Sequence, residues 1–440
     1  MRARLFRPLP VDRQIAALAV PSLGALVAEP LFVLTDTAMV GHLGATALAG
    51  VGLASTVLQT AIGLLVFLAY ATTPLVARRL GAGDRRGALA AGVDGLWLGL
   101  GLGVLLLVVM LPLSAPLITA FGANATVTEQ AVTYLTISWW GVPGMLLVLA
   151  ATGVLRGLQD VRTPLIVAAG GFGANIVLNA VLIYGAGLGV AGSAIGTVIA
   201  QWGMAAVLVT VVVRAARAES APLRPGRAGL RAAAASGSWL FVRTLSLRIA
   251  LVVTVVVATG LGTVELAAAH VWFAVYSLLA LALDALAIAG QTLVGHGLGA
   301  KDVPRVRAVT RRLVGWGVVV GAALAVVLLA LAVPLSVVIT SDEAVRDALP
   351  TALAVLALGL PLAGLVFVLD AVLIGAGDGR YLALTGILNL LVYLAVLVLV
   401  PNLELVGLLA TFALAYLGAR ALALSARVRG TAWIVTGAAR

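Results

Sequence analysis

Four carboxylates stand inside long apolar runs of this sequence: Glu29, Asp36, Asp284 and Asp370. Two arginines, Arg243 and Arg248, share that setting. An ionisable side chain costs about 2.5–3.5 kcal/mol to insert at the centre of an apolar helix in lipid, so each of the six is a functional candidate by default. A carboxylate taken out of water holds a proton more readily than one in water, which suits it to carry a proton. Glu29 and Asp36 are seven residues apart, two helical turns, so an unbroken helix turns both to one side. Pro21 and Pro30 each remove a backbone donor and invite a kink. They are hinge candidates, letting the segment exist straight or bent in a balance that answers to protonation of Asp36. Asn175 and Asn179, four apart, share a face and offer amide hydrogen bonds to a facing carboxylate, or else serve as polar glue between helices.

Other chemistries lack material. The chain has no cysteine and three histidines, which excludes disulfides, thiolate metal sites and cysteine nucleophiles, so no metal centre and no bound cofactor is expected. His42 and His296 are placed in loops at helix ends; His270, within an apolar run, is one histidine and no site. Gly99-Leu100-Gly101-Leu102-Gly103 and the glycines from Gly185 to Gly196 lack the preceding strand and following acid of a nucleotide loop, so they are packing and turn glycines and ATP is not the energy source.

The elements that hold these residues are set by composition. Hydrophobic residues make up 62% of 440 and charged residues 10%, more apolar surface than water can accept, so the solvent is a bilayer. Fifty glycines suit close helix approach in lipid. Apolar runs predict twelve helices near 13–39, 46–77, 88–112, 126–155, 163–184, 189–213, 234–260, 264–295, 308–333, 345–374, 381–400 and 404–426. Trp139, Trp140, Trp202 and Trp272 read as belt or packing residues.

Net charge is +11, and the placement of the charges marks topology rather than nucleic-acid binding. Arg2, Arg4, Arg7 and Arg13 open a series that continues through Arg78, Arg79, Arg85, Arg86, Arg156 and Arg162 to the 214–231 stretch. It resumes at Lys301, Arg305, Arg307, Arg311 and Arg312 and ends on Arg380, Arg420, Arg427, Arg429 and Arg440. Of 28 basic residues only Arg243, Arg248 and Arg346 fall outside it. The positive-inside rule then places both termini and the central connection in the cytoplasm, in a multi-pass cell-membrane protein. The first apolar run is too long for a signal peptide and reads as a retained helix.

The chain is also written twice. At a constant offset of 218 residues Leu43-Gly44 returns as Leu261-Gly262, Asp84 as Asp302, Pro143 as Pro361, Gly157 as Gly375 and Asp160 as Asp378. Six helices per copy is an even number, so both copies enter from one side: two parallel six-helix repeats. The expected organisation is an N-terminal lobe 1–213, a cytoplasmic linker 214–231 with Pro222 and Pro225, and a C-terminal lobe 232–440. The linker's arginines would sit against anionic headgroups. Two such bundles can expose their interface to either side in turn, which makes a transporter the leading class over a channel or a membrane enzyme.

The run Thr35-Asp36-Thr37-Ala38-Met39-Val40-Gly41-His42-Leu43-Gly44 resembles the first-helix motif of the multidrug and toxic compound extrusion (MATE) family. Leu155-Arg156-Gly157-Leu158-Gln159-Asp160, Gly189-Val190-Ala191-Gly192-Ser193-Ala194-Ile195-Gly196-Thr197, Asp284 to Gln291 and Leu369 to Ala376 are similar to that family in the same order. The His42-Leu43 environment and the ending Arg429-Gly430-Thr431-Ala432-Trp433 look most like its DNA-damage-inducible F (DinF) branch. The resemblance implies an all-α membrane protein of MATE-like fold and, in function, a secondary antiporter rather than an enzyme. Such a protein exports small amphipathic, mainly cationic organic compounds in exchange for H+ or Na+, and a monomer is expected. It also assigns roles: Asp36 as coupling carboxylate, Asn175 and Asn179 as its fifth-helix partners, Thr197 from the sixth helix, with Tyr134 completing the cluster. Relatives with an aspartate where this chain has Asn179 carry one more titratable group. In the second copy Asp370 matches an acidic position, but the seventh helix carries Arg243 and Arg248 where an acid is expected, so Arg243, Asp284 and Asp370 are read as a charge network of gating or structural role. Two alternatives share parts of this pattern. A major facilitator transporter has twelve helices and a loop echoed by Gly83-Asp84-Arg85-Arg86-Gly87, and a lipid-intermediate flippase of the same superfamily would show a strongly cationic cavity.

Overall fold

A computed structural model describes residues 10–400 and 403–438; Arg2, Arg4, Arg7 and Arg440 lie outside the described residues. Twelve helices are long and apolar enough to cross a bilayer. They are α1 Pro10–Gly41, α2 Ala45–Gly81, α3 Arg85–Thr119, α4 Ala125–Gly157, α5 Arg162–Gly185, α6 Gly189–Ala218, α7 Arg227–Leu261, α8 Thr263–Gly299, α9 Val303–Ile339, α10 Glu343–Gly375, α11 Gly379–Leu399 and α12 Leu405–Arg429. Each covers an apolar run of the sequence. Most extend it by about a turn, because polar ends such as Arg85-Arg86 remain helical outside the hydrocarbon. Side chains such as Val338 and Val398 are more than 80% exposed, as a lipid-facing surface requires.

The duplication is written into the backbone. Asp84 caps α3 by accepting from the Gly87 amide at 2.8 Å, and Asp302, 218 residues on, caps α9 by accepting from Arg305 at 3.0 Å. Asn124 and Asp342 cap α4 and α10 in the same way, through Val127 at 2.9 Å and Val345 at 3.0 Å. Left-handed turn positions also correspond: Gly83 (φ 80°) with Lys301 (φ 59°), and Gln159 (φ 66°) with Gly377 (φ 71°). In each of these two pairs one copy holds the conformation with a residue that disfavours it, so the repeat's geometry overrides local preference.

The chain divides into two compact units, Gly24–Gly237 and Ser238–Ala438, the latter joined by the residues up to Leu23. The first unit packs Leu135, Trp139, Leu146, Ala150 and Val154 at its centre. In the second, the rings of Trp272, Tyr276, Tyr393, Phe412 and Tyr416 interlock, Phe412 stacking on Tyr416 at 5.4 Å. The start of α1 joins the second unit through Asp12, which accepts from Arg312 Nε at 2.6 Å, Arg312 Nη2 at 2.8 Å and Trp316 Nε1 at 2.9 Å. Helix α6 continues to Ala218 and α7 begins at Arg227, so the non-helical connection is shorter than the polar composition suggests. It is held to α3 by Asp94, accepting from the Gly226 amide at 2.8 Å, and by Trp97, donating to the Leu223 carbonyl at 3.0 Å. Trp139 and Trp272 are buried, whereas Trp140 and Trp202 are exposed. His296 lies inside α8 and half-buried rather than in a loop, because that helix runs on to Gly299.

Candidate functional site

Helices α1, α4, α5 and α6 bring a set of oxygen-bearing side chains together in the first unit. Helix α6 carries Gly192, Ser193, Gly196 and Thr197, a polar and glycine face repeated every four residues. A methyl group at Gly192 would meet the Leu182 carbonyl at 2.8 Å, and one at Gly196 would overlap the Asn179 amide oxygen. The two glycines thus let α6 approach α5 closely enough for Ser193 and Thr197 to reach the polar side chains of its neighbours. Directly after Asn179, α5 ends in a π turn, Val181–Gly185, in which the Ala186 amide donates to the Val181 carbonyl at 2.8 Å. That wide turn carries Tyr184, whose hydroxyl donates to the Met39 carbonyl at 2.6 Å and fixes the end of α1.

Asp36 lies at the centre, 7% exposed. Its Oδ1 accepts two hydrogen bonds, from Asn179 Nδ2 at 2.7 Å and from Ser193 Oγ at 2.7 Å. Its Oδ2 accepts none from the protein. One turn away, Asn175 Nδ2 donates to Thr197 Oγ1 at 3.1 Å. The Tyr134 hydroxyl, on α4, lies within hydrogen-bonding reach of Ser193 and Thr197. Two acceptors in this group, Asn175 Oδ1 and Asn179 Oδ1, are buried without a donor. The arrangement therefore has one carboxylate, two stranded amide oxygens and no nitrogen base. It can take a proton at Oδ2 without breaking a bond already made.

The structure thus brings Asp36, Asn179, Asn175, Thr197 and Tyr134 into one cluster and adds Ser193, whose role the sequence reading left unassigned. Its spacing of four from Thr197 was the available signal. Glu29 stays outside, exposed on α1 and without a hydrogen bond or ion pair. Helix α1 runs unbroken through Pro21 and Pro30.

A second polar group lies in the other unit. Asp370, on α10 and 3% exposed, is held by two guanidinium groups. Arg243 of α7 grips Oδ2 with Nε at 2.9 Å and with Nη2, and Arg420 of α12 donates from Nη2 to Oδ1 at 2.5 Å. Arg420 was grouped with the cytoplasmic basic residues because it stands near the end of its apolar run; instead it is buried within α12, where a lone arginine must have a carboxylate partner. Asp284, half-buried on α8, lies within Coulombic reach of Tyr276, as Arg243 does. Arg248 is exposed. Among the described residues no three His, Asp or Glu side chains gather as metal ligands. At the position of the second copy corresponding to Asp36 stands Thr254, fully buried, hydrogen-bonded at 2.7 Å to Tyr393, the counterpart of Asn175.

The MatE family profile matches the chain twice, at residues 21–181 and 240–400, once in each copy. The chain belongs to the MATE family. It is a multidrug and toxic compound efflux transporter of the multi-pass membrane class and not an enzyme. It is similar to the chloroplastic protein DETOXIFICATION 44 of Arabidopsis thaliana, 29% identical over 90% of this chain and 78% of that protein. DNA damage-inducible protein F of Escherichia coli strain K12 is 30% identical over 66% of this chain and 64% of its own length. Among solved structures, the MATE transporter VcmN of Vibrio cholerae in the bent form shares the fold, with a TM-score of 0.86 at 23% identity over 95% of this chain and 97% of that one.

Proposed function

We propose that this MATE protein is a proton-coupled exporter of amphipathic organic compounds, cationic ones among them, working by alternating access with Asp36 as the coupling carboxylate. The observation that carries the reading is the asymmetry at Asp36: Oδ1 holds two donors while Oδ2 accepts no bond from the protein. A proton arriving at Oδ2 removes the charge and turns that oxygen into a donor, beside amide oxygens that lack one. Charge-assisted bonds to Asn179 and Ser193 weaken at that moment, which changes what holds the end of α1 to α5 and α6. Pro30 leaves the Leu26 carbonyl without its helical partner, so the segment below Asp36 is the part of α1 that can bend in response.

Sodium is the second reading, since a hard cation also takes oxygen ligands. The proton is favoured because Asn179 presents its nitrogen, not its oxygen, to the carboxylate. The basic side of the protein, carrying both termini, faces the cytoplasm, and the protein acts as a monomer. Export is coupled to an ion rather than to a bound cofactor or ATP.

Efflux of ethidium from proteoliposomes under an imposed pH or sodium gradient tests this. Asp36→Asn keeps size and hydrogen bonding but cannot ionise, so proton-driven efflux should fall by about tenfold or more while the protein inserts normally. Intact proton-driven exchange in Asp36→Asn would overturn the assignment.

A further inference from the structure

The Arg243, Asp370 and Arg420 cluster contains an unused position. Arg420, with its side chain 4% exposed, donates to Asp370 through Nη2 alone, and its Nη1 is buried without an acceptor. A guanidinium and a carboxylate fit best as a two-pronged pair, so an arginine gripping by one prong inside the protein leaves a place for a second carboxylate oxygen. Asp370 instead bridges, one oxygen to each arginine. Its alternative is to turn both oxygens onto Nη1 and Nη2 of Arg420. That exchange supplies the stranded donor with an acceptor and frees the fork formed by Nε and Nη2 of Arg243. Of the two arginines Arg243 is the accessible one, with its side chain 18% exposed against 4% for Arg420.

We infer that Arg243 is a binding site for the carboxylate of an organic acid or zwitterion carried by the transporter, with Asp370 as the internal stand-in that occupies the site when no ligand is there. The surroundings favour an aromatic carboxylate. Tyr276, stacked on Trp272 at 5.5 Å, and Tyr416, stacked on Phe412, both lie within Coulombic reach of Arg243. Asp284, within reach of the same Tyr276, sets a limit on charge: an anion is drawn by the two guanidiniums and opposed by Asp284, so a single carboxylate fits better than a dianion. The inference rests on the transporter reading for its purpose but not on proton coupling at Asp36.

Equilibrium dialysis of naphthalene-2-carboxylate against the full chain in nanodiscs, without any ion gradient, tests the site separately from coupling. Naphthalene-2-carboxamide has the same shape and no charge. The carboxylate should bind more tightly than the amide by about tenfold, the loss expected for one charge-assisted pair. Arg243→Gln should abolish that preference and Arg243→Lys should keep part of it. Asp370→Asn removes the competitor and should tighten carboxylate binding. Equal binding of carboxylate and amide to the unmodified protein overturns the inference whatever the variants do. So does a preference that survives Arg243→Gln or weakens in Asp370→Asn. Where Arg243→Gln does not yield monodisperse protein, Arg243→Lys and Asp370→Asn decide by their opposite directions.

Discussion

A single methyl group at Gly196 should disconnect the coupling carboxylate. A Cβ built there overlaps the amide oxygen of Asn179 and comes within 3.3 Å of the Asn179 backbone nitrogen. The backbone of α5 cannot retreat, because Leu182 and Ile183 already meet Gly192 at contact distance. The amide must therefore rotate, and its 2.7 Å bond to Asp36 is lost. A hydrogen bond to a charged group is worth about 1.5–3 kcal/mol, roughly ten- to more than a hundredfold in the equilibrium that it biases. Gly203 lies on the same helix with open space where its Cβ would stand, so Gly203→Ala is the matched control and should be neutral or mildly stabilising. Proton-driven ethidium efflux from proteoliposomes should drop by about tenfold or more in Gly196→Ala and stay unchanged in Gly203→Ala. The double variant Gly196→Ala/Asn179→Ala relieves the overlap and should recover thermal stability without recovering coupling. Wild-type coupled efflux in Gly196→Ala would refute the reasoning, since the amide could then not be part of the machinery.

The duplication makes a paired stability prediction: a Cβ at Gly157 meets the Thr73 carbonyl at 2.7 Å and one at Gly375 meets the Gln291 carbonyl at 2.7 Å, so alanine at either position should destabilise by a similar amount, about 1–3 kcal/mol, in denaturant unfolding of detergent-solubilised protein. In the second copy Thr254→Val and Tyr393→Phe should each cost about 0.5–1.5 kcal/mol and the double variant little more than either, because they break one buried bond; additive losses in the double-mutant cycle would count against that.

Much of this was legible in the chain because bilayer physics leaves few choices. An apolar run of 20 residues can only be a helix when its backbone has no water to bond, so the number and order of helices followed from hydrophobicity alone. Asp36 was legible for the same reason: charge in an apolar helix is costly, and four residues of spacing put Asn175 and Asn179 on one face. Ser193 and Arg420 were harder. A serine bonds its own helix as readily as a neighbour, so its sequence carries no sign of a partner. Arg420 sits where an apolar run fades, and an arginine there reads as a headgroup contact unless Asp370 on another helix is known to face it. Pro21 and Pro30 were legible as places where a helix can kink, but a proline removes only one hydrogen bond and packing decides whether the bend is taken.

The two copies place their charges at different positions, and this decides how the transport cycle is powered. The counterparts of Asp36 and Asn175 are Thr254 and Tyr393, a neutral pair closed on itself at 2.7 Å. The counterpart of Asp370 is Thr152, and of Arg420 it is Trp202. On the proposed reading, one unit holds a carboxylate with an oxygen left free, and the other holds a carboxylate gripped by arginine on both oxygens. Only the first can gain a charge without breaking an ion pair, so a cycle exchanges one proton at Asp36. Against a monovalent cation that exchange moves no net charge, and a pH difference alone drives it, with about 1.4 kcal/mol per unit. Against a zwitterion anchored through Arg243 one net charge moves inward, and a 100 mV potential adds about 2.3 kcal/mol, close to a fiftyfold gradient. The cargo's charge thereby sets the energy available for its own export, and a transporter with an acid in one copy and an arginine fork in the other draws on different driving forces for different compounds.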